Sequence, residues 1–153
     1  MKIVIAGGGT GGHLFPGVAI AEEFRRREGA GDVLFIGTNR GLEARVLPQI
    51  GFQLAVLEVE GVKGRGIARS IAALAKIPRG LLESRRILRG FAPDIVIGVG
   101  GYASGPAVLA ARFMGLPTAI AEQNAIPGET NKILGRFADR IFVSFPETAR
   151  WFR

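Results

Sequence analysis

The chain has no cysteine and a single histidine in 153 residues. Disulfide frameworks and thiolate metal sites are therefore excluded, and one imidazole with scattered carboxylates makes no zinc centre. No metal or cofactor is expected. Long apolar runs are also missing: nothing approaches the roughly 18 consecutive apolar residues of a spanning helix. Lys2-Ile3-Val4-Ile5-Ala6 enters a strand at once, without the basic and apolar regions of a signal peptide. The expectation is a cytoplasmic protein whose membrane contact, if any, is peripheral. Acids are scarce beside bases, 13 against 20, for a net charge of +7. An apolar content of 48% is enough for one domain with a proper core, and nothing in the composition suggests disorder.

What the chain does have is glycine, concentrated where it matters. Gly7-Gly8-Gly9-Thr10-Gly11-Gly12-His13 follows the first apolar run and places the only histidine beside a glycine loop. Such a loop lets backbone N–H groups approach an anion, and Leu14-Phe15-Pro16 starts a helix whose N-terminal partial charge favours phosphate. Gly7-x-Gly9-x-x-Gly12 also satisfies the dinucleotide fingerprint. That fingerprint expects an acid at the end of the second strand to hold a ribose hydroxyl. Here Val33-Leu34-Phe35-Ile36 runs out into Gly37-Thr38-Asn39-Arg40 with no carboxylate at the tip, so a nicotinamide or flavin oxidoreductase is disfavoured.

β-Branched runs alternate with helical patterns along the whole chain. Strands are predicted at 2–6, 33–36, 52–59, 94–99, 118–121 and 140–144, and helices at about 14–28, 41–50, 67–90, 104–114 and 129–137. Five βα units and a sixth strand make a doubly wound parallel, Rossmann-like α/β sheet in one domain, residues 1–153. In the usual 3-2-1-4-5-6 order, strands one and four meet at the topological switch point, where ligands bind beyond the strand ends. A second loop, Gly98-Val99-Gly100-Gly101-Tyr102-Ala103-Ser104-Gly105-Pro106, follows strand four as the first follows strand one. Two such cradles suit a diphosphate or sugar phosphate. Close helix–strand packing is the alternative role for these glycines.

Glu122-Gln123-Asn124 falls on the same rim, at the end of strand five, with Gly128, Glu129 and Asn131 beyond it. Polar side chains there can bind a hydroxylated substrate. Asn124 also suits an Asx-type turn, and Glu129 a first helical turn. Glu122 ends an apolar strand, where a carboxylate is costly unless paired or used.

Gly8 to Pro16, Gly100 to Pro106 and Glu122 to Asn124, followed by Gly128 and Asn131, resemble the N-terminal domain of MurG-type N-acetylglucosaminyltransferases across essentially the whole chain. The resemblance implies one half of a two-domain GT-B enzyme, with the C-terminal donor domain absent from this chain, so that the chain alone should not turn over. It implies metal-free, inverting transfer of GlcNAc from UDP-GlcNAc to undecaprenyl-diphosphate-MurNAc-pentapeptide (lipid I), giving lipid II for peptidoglycan at the cytoplasmic membrane face. By motif, Thr10, Gly11, Gly12 and Asn124 face the donor. His13 is the candidate base. Tyr102, Ser104, Glu122 and Asn131 complete the acceptor side, with Gly9, Gly100 and Gly101 in the glycine loops. The chemistry agrees, since a sugar hydroxyl is a weak nucleophile and imidazole ordinarily titrates near neutrality. Glu122 is the rival base. The family commonly has a histidine before Glu-Gln-Asn, where this chain has Ala121. A glycolipid transferase with another acceptor and a non-catalytic lipid-diphosphate-binding module are the alternatives.

The charge is not evenly spread. Residues 63–89 carry Lys63, Arg65, Arg69, Lys76, Arg79, Arg85, Arg86 and Arg89 against the single acid Glu83, and the rest of the chain balances. Leu81 and Leu82 are among the apolar residues interleaved with these cations, and Pro78 is expected to break or kink the helix. A basic, partly apolar helix reads as a surface for anionic lipid. Its bland alternative is a core face with solvated arginines opposite. No aromatic residue interrupts the segment to stack bases, so nucleic acid is not an expected partner.

Overall fold

The structure, a computed structural model, describes residues 1–29, 31–58 and 67–152, with 67–77 as backbone alone. Strands β1 (Lys2–Gly7), β2 (Asp32–Thr38), β3 (Gln53–Leu57), β4 (Ile95–Gly100), β5 (Thr118–Glu122) and β6 (Arg140–Val143) alternate with helices α1 (Gly11–Glu28), α2 (Glu43–Gln49), α3 (Ile67–Phe91), α4 (Ser104–Phe113) and α5 (Glu129–Leu134). A short 3-10 helix, Pro146–Phe152, follows β6. The sheet is parallel throughout, in the order β3-β2-β1-β4-β5-β6. This is the expected doubly wound arrangement.

The period of two in each strand sorts the core into two layers. Val4, Ala6, Leu34, Ile36, Val96 and Ile120 face Leu88 of α3 and Ala107 and Val108 of α4. Ile3, Ile5, Val33 and Phe35 face Leu14 and Val18 of α1 and Leu47 of α2. Central strands covered on both faces need apolar residues at every position, which is why they read as unbroken β-branched runs. Gly29 and Gly115 follow α1 and α4 with positive φ. Pro78 neither breaks nor ends its helix, since α3 runs through it as one element.

At the far edge, Asp139 ties the entry of β6 to β5. Its Oδ2 accepts hydrogen bonds from the Thr118 N–H at 2.9 Å and the Thr118 hydroxyl at 2.8 Å. These two bonds, with Arg112 and Arg140 nearby, lower the Asp139 pKa below the usual aspartate value. A depressed folded-state pKa adds stability above the unfolded value, about 3.9, and that stability is lost as pH falls through the folded pKa. Chemical denaturation should show wild type losing more stability than Asp139→Asn between pH 6 and pH 3.

Candidate functional site

Both glycine loops emerge side by side at the carboxyl ends of β1 and β4, and their glycines are dictated first by how closely they meet. A side chain on Gly101, whose φ is +82°, would collide with the Gly8 carbonyl, and one on Gly7 would lie 2.5 Å from the Gly100 carbonyl oxygen. A Cβ on Gly100 would sit 2.7 Å from His13 Nδ1, so the imidazole rests against that glycine. Close packing of loop on loop is therefore one requirement met by Gly7, Gly8, Gly100 and Gly101. Gly9 and Gly12 are the open positions. No atom lies within 4 Å of a Cβ on Gly9, and only the Thr10 hydroxyl does so at Gly12.

The Gly9 N–H is not free for an anion, because it donates to Glu43 Oε2 at 2.7 Å. Glu43 is completely buried. Its Oε1 accepts from the Thr38 N–H and the Thr38 hydroxyl, each at 2.9 Å. An acid thus does reach the tip of β2, against the sequence expectation, but it arrives from α2 and faces inward. With both oxygens engaged it is no ribose ligand. Anion-binding donors do remain at the α1 start. Thr10 is the extended N-cap residue with no side-chain cap bond, and the N–H groups of Gly11 and Gly12 belong to the turn that has no intrahelical acceptor.

Glu122 anchors the third loop in the same manner. It is buried, and Oε1 accepts from the backbone and side-chain N–H groups of Asn124, both at 2.9 Å. Oε2 accepts from the Gly128 N–H at 3.2 Å and Asn131 Nδ2 at 2.9 Å. Four donors fill the four lone-pair positions of a carboxylate. The Thr148 hydroxyl, bonded to the carbonyls of Asn124 and Ala125, holds the same loop from the 3-10 helix.

Gly8, Gly9, Thr10, His13, Gly100, Gly101, Tyr102, Gly128, Glu129, Thr130 and Asn131 line one open cleft of about 340 Å³. The three loops singled out in the sequence therefore converge. Tyr102 is 62% exposed, a large side chain standing at the rim. Of the expected acceptor side, Ser104 and Glu122 do not line the cleft, and Glu122 is turned to its four donors. Ser104 is sealed. Its hydroxyl is fully buried beneath Gly98, because the first turn of α4 dips under β4, and it does not line the cleft. Asn124 is exposed with its amide turned back to Glu122. Glu43 was missed in the sequence, although Gly37 and Gly41 surround it and a Cβ on either would collide with its side chain or carboxylate.

The basic helix makes a second feature. Leu81, Leu82, Arg85, Arg89, Ala110, Phe113 and Met114 line a groove of about 580 Å³ between α3 and α4. Leu82 and Phe113 are 65% and 74% exposed. Arg79 departs from the expected set, since Glu83 and Glu58 both pair with it and raise its pKa further. Arg86 is exposed. Lys63 and Arg65, and the side chains of Arg69 and Lys76, lie outside the described residues. No described helix is long and apolar enough to cross a membrane.

Comparison with known proteins gives this geometry a family. The N-terminal domain model of glycosyltransferase family 28 matches residues 3–143. UDP-N-acetylglucosamine–N-acetylmuramyl-(pentapeptide) pyrophosphoryl-undecaprenol N-acetylglucosamine transferases from Syntrophus aciditrophicus and an Anaeromyxobacter species are 63% and 57% identical over 99% of this chain. The chain spans 42% and 40% of their lengths. The crystal structure of Acinetobacter baumannii MurG superposes with a TM-score of 0.84 at 36% identity, over 96% of this chain and 42% of that one. A Neisseria meningitidis UDP-GlcNAc 2-epimerase shares the fold alone, with a TM-score of 0.70 at 14% identity over 99% of this chain and 43% of its own. With the family model matched over nearly all of its length, the chain belongs to glycosyltransferase family 28, as an N-terminal domain of that family.

Proposed function

We propose that this domain is the acceptor-binding half of an inverting GT-B transferase that moves GlcNAc from UDP-GlcNAc to undecaprenyl-diphosphate-MurNAc-pentapeptide. The observation that carries this reading is the convergence of all three loops on one cleft, in a chain 63% identical to a transferase of that name. In the reaction, an acceptor hydroxyl oxygen bonds to the anomeric carbon as the bond to UDP breaks, the electron pair of that bond leaves with the diphosphate oxygen, and the hydroxyl proton passes to solvent water in the open cleft. The Gly11 and Gly12 N–H groups, at a helix start, suit a diphosphate, and Thr10 and Asn124 flank the donor side. Gly9, Gly100, Gly101, Tyr102 and Asn131 form the acceptor wall. His13 lies in the cleft beside the reacting groups. Glu122, with four donors already on its carboxylate, organises the third loop and is not the base.

An amide-shift titration with a soluble short-chain analogue of the lipid diphosphate acceptor tests this, with NAD and UDP-GlcNAc for comparison. Saturable shifts at Gly9 to His13, Gly100 to Tyr102 and Glu122 to Asn124 with the acceptor analogue are expected. A response to NAD and silence with the analogue would sink the reading.

The groove between α3 and α4 supports contact with an anionic membrane surface, which would bring the cleft to a lipid-linked acceptor. Leu82 and Phe113 offer apolar contact, while Arg85, Arg86 and Arg89 offer charge, about 1 kcal/mol for each cation near the headgroups. Changing the three arginines to glutamate should abolish cosedimentation with vesicles rich in anionic lipid, without altering the circular dichroism spectrum. Unchanged sedimentation would return α3 to a solvated helix face.

A further inference from the structure

Gln123 is the member of the third loop that reaches across the cleft floor to the first. Its Nε2 lies 2.8 Å from the Gly12 carbonyl oxygen, 3.2 Å from the Val99 carbonyl oxygen and 3.0 Å from His13 Nδ1. Two of these neighbours are main-chain carbonyls, which accept hydrogen bonds and cannot donate them. The opposite amide orientation would set Oε1 against both carbonyl oxygens. The amide nitrogen therefore belongs on this side, even though Oε1 is left buried without a partner.

That orientation decides the chemistry of the imidazole. A neutral histidine ring has one N–H and one lone pair, and the hydrogen bond at one nitrogen fixes which is which. The NH₂ group has two hydrogens for these three neighbours: the Gly12 carbonyl, at 2.8 Å, takes one, and the other is shared between Nδ1 at 3.0 Å and the Val99 carbonyl at 3.2 Å, which makes Nδ1 the lone-pair nitrogen. A proton on Nδ1 would point at the amide N–H groups only 3.0 Å away. The ring has little freedom to turn away, because it lies against Gly100. The ring proton then sits on Nε2, which has no hydrogen-bond partner among the described residues.

We propose that Gln123 is a positioning residue that fixes the tautomer of His13, so that the ring meets the substrate as an Nε2–H donor and not as a proton acceptor. This rests on the transferase reading for the identity of the substrate, but the tautomer itself does not. In that setting the Nε2–H joins the N–H groups of Gly11 and Gly12 as a third donor for an oxygen that gains negative charge, such as the departing diphosphate.

The chain's single histidine makes the test unambiguous. With 15N-labelled histidine, ring nitrogen shifts are recorded on this domain at about pH 8.5, where an ordinary imidazole is neutral. Wild type should show a pyridine-type Nδ1 and a pyrrole-type Nε2. In Gln123→Glu the acceptor oxygen should draw the proton to Nδ1 and exchange the two shift types. Gln123→Met, which removes the donor at similar size, should bring both nitrogens to intermediate values. A pyrrole-type Nδ1 or intermediate shifts in wild type would overturn the proposal, as would a tautomer that neither substitution moves. Since no ligand is present, failure here is distinct from failure of the acceptor titration.

Discussion

Glu43→Ala is expected to destabilise the domain by about 3–5 kcal/mol and to release the first glycine loop. Three donors, the N–H groups of Gly9 and Thr38 and the Thr38 hydroxyl, converge on this one carboxylate. A methyl group replaces none of its oxygens, and each buried donor left without a partner costs about 1–3 kcal/mol, less than additively within one network. The vacated volume adds to the loss, because Glu43 is among the largest fully buried side chains. Glu43→Gln separates charge and hydrogen bonding from volume. It keeps the size but puts an NH₂ group where at least one donor already points, so it should also destabilise, by less than alanine. Urea denaturation gives the energies, and amide shifts from Gly8 to His13 report the loop. A loss below about 1 kcal/mol with the loop shifts unmoved would mean that the loop holds its shape without the acid.

That buried acid also shows where the sequence stopped being legible. The sheet order, the six strands and the rim shared by three loops follow from local patterns: β-branched runs, glycines after helices such as α1 and α4, and polar residues just past the strands. Each is written within a few residues of where it acts. Glu43 acts on Gly9 and Thr38 from a different element, and nothing local distinguishes a helix-start glutamate facing solvent from one folded under the loop. Its signal was indirect, in Gly37 and Gly41, which clear space around a side chain six and two residues further on. Ser104 failed for a related reason. A hydroxyl after a glycine loop reads as a ligand, and only the descent of α4 beneath Gly98 shows it to be sealed. Phe113 carried no signal of its own, since the pattern of α4 does not show which of its apolar residues stands in the groove beside Leu82. Glu122 was legible as a group that must be used, but its use is structural, because its four partners come from residues within nine positions of it.

The sharpest division between roles for His13 comes from two substitutions in one enzyme. On the proposed reading, this domain joined to the part of the Syntrophus aciditrophicus relative that it does not cover should give a protein in which turnover can be measured. His13→Ala is expected to lower kcat by about 10²–10³, the usual cost of losing one donor aimed at developing negative charge, while the acceptor KM changes little. His13→Gln should recover most of that loss, because a glutamine amide offers an N–H near the place of imidazole Nε2. An amide cannot take up a proton at neutral pH. A histidine acting as general base would therefore leave His13→Gln as slow as His13→Ala, and equal rates in the two variants would reassign the ring to proton removal. Near-normal turnover in both would take His13 out of the chemistry. The outcome expected from the Gln123 contact is the asymmetric one, since a ring whose Nδ1 accepts from Gln123 already holds its proton on the other nitrogen. Gln123→Met in the same enzyme should then lower kcat by less than His13→Ala does, because it loosens the donor without removing it.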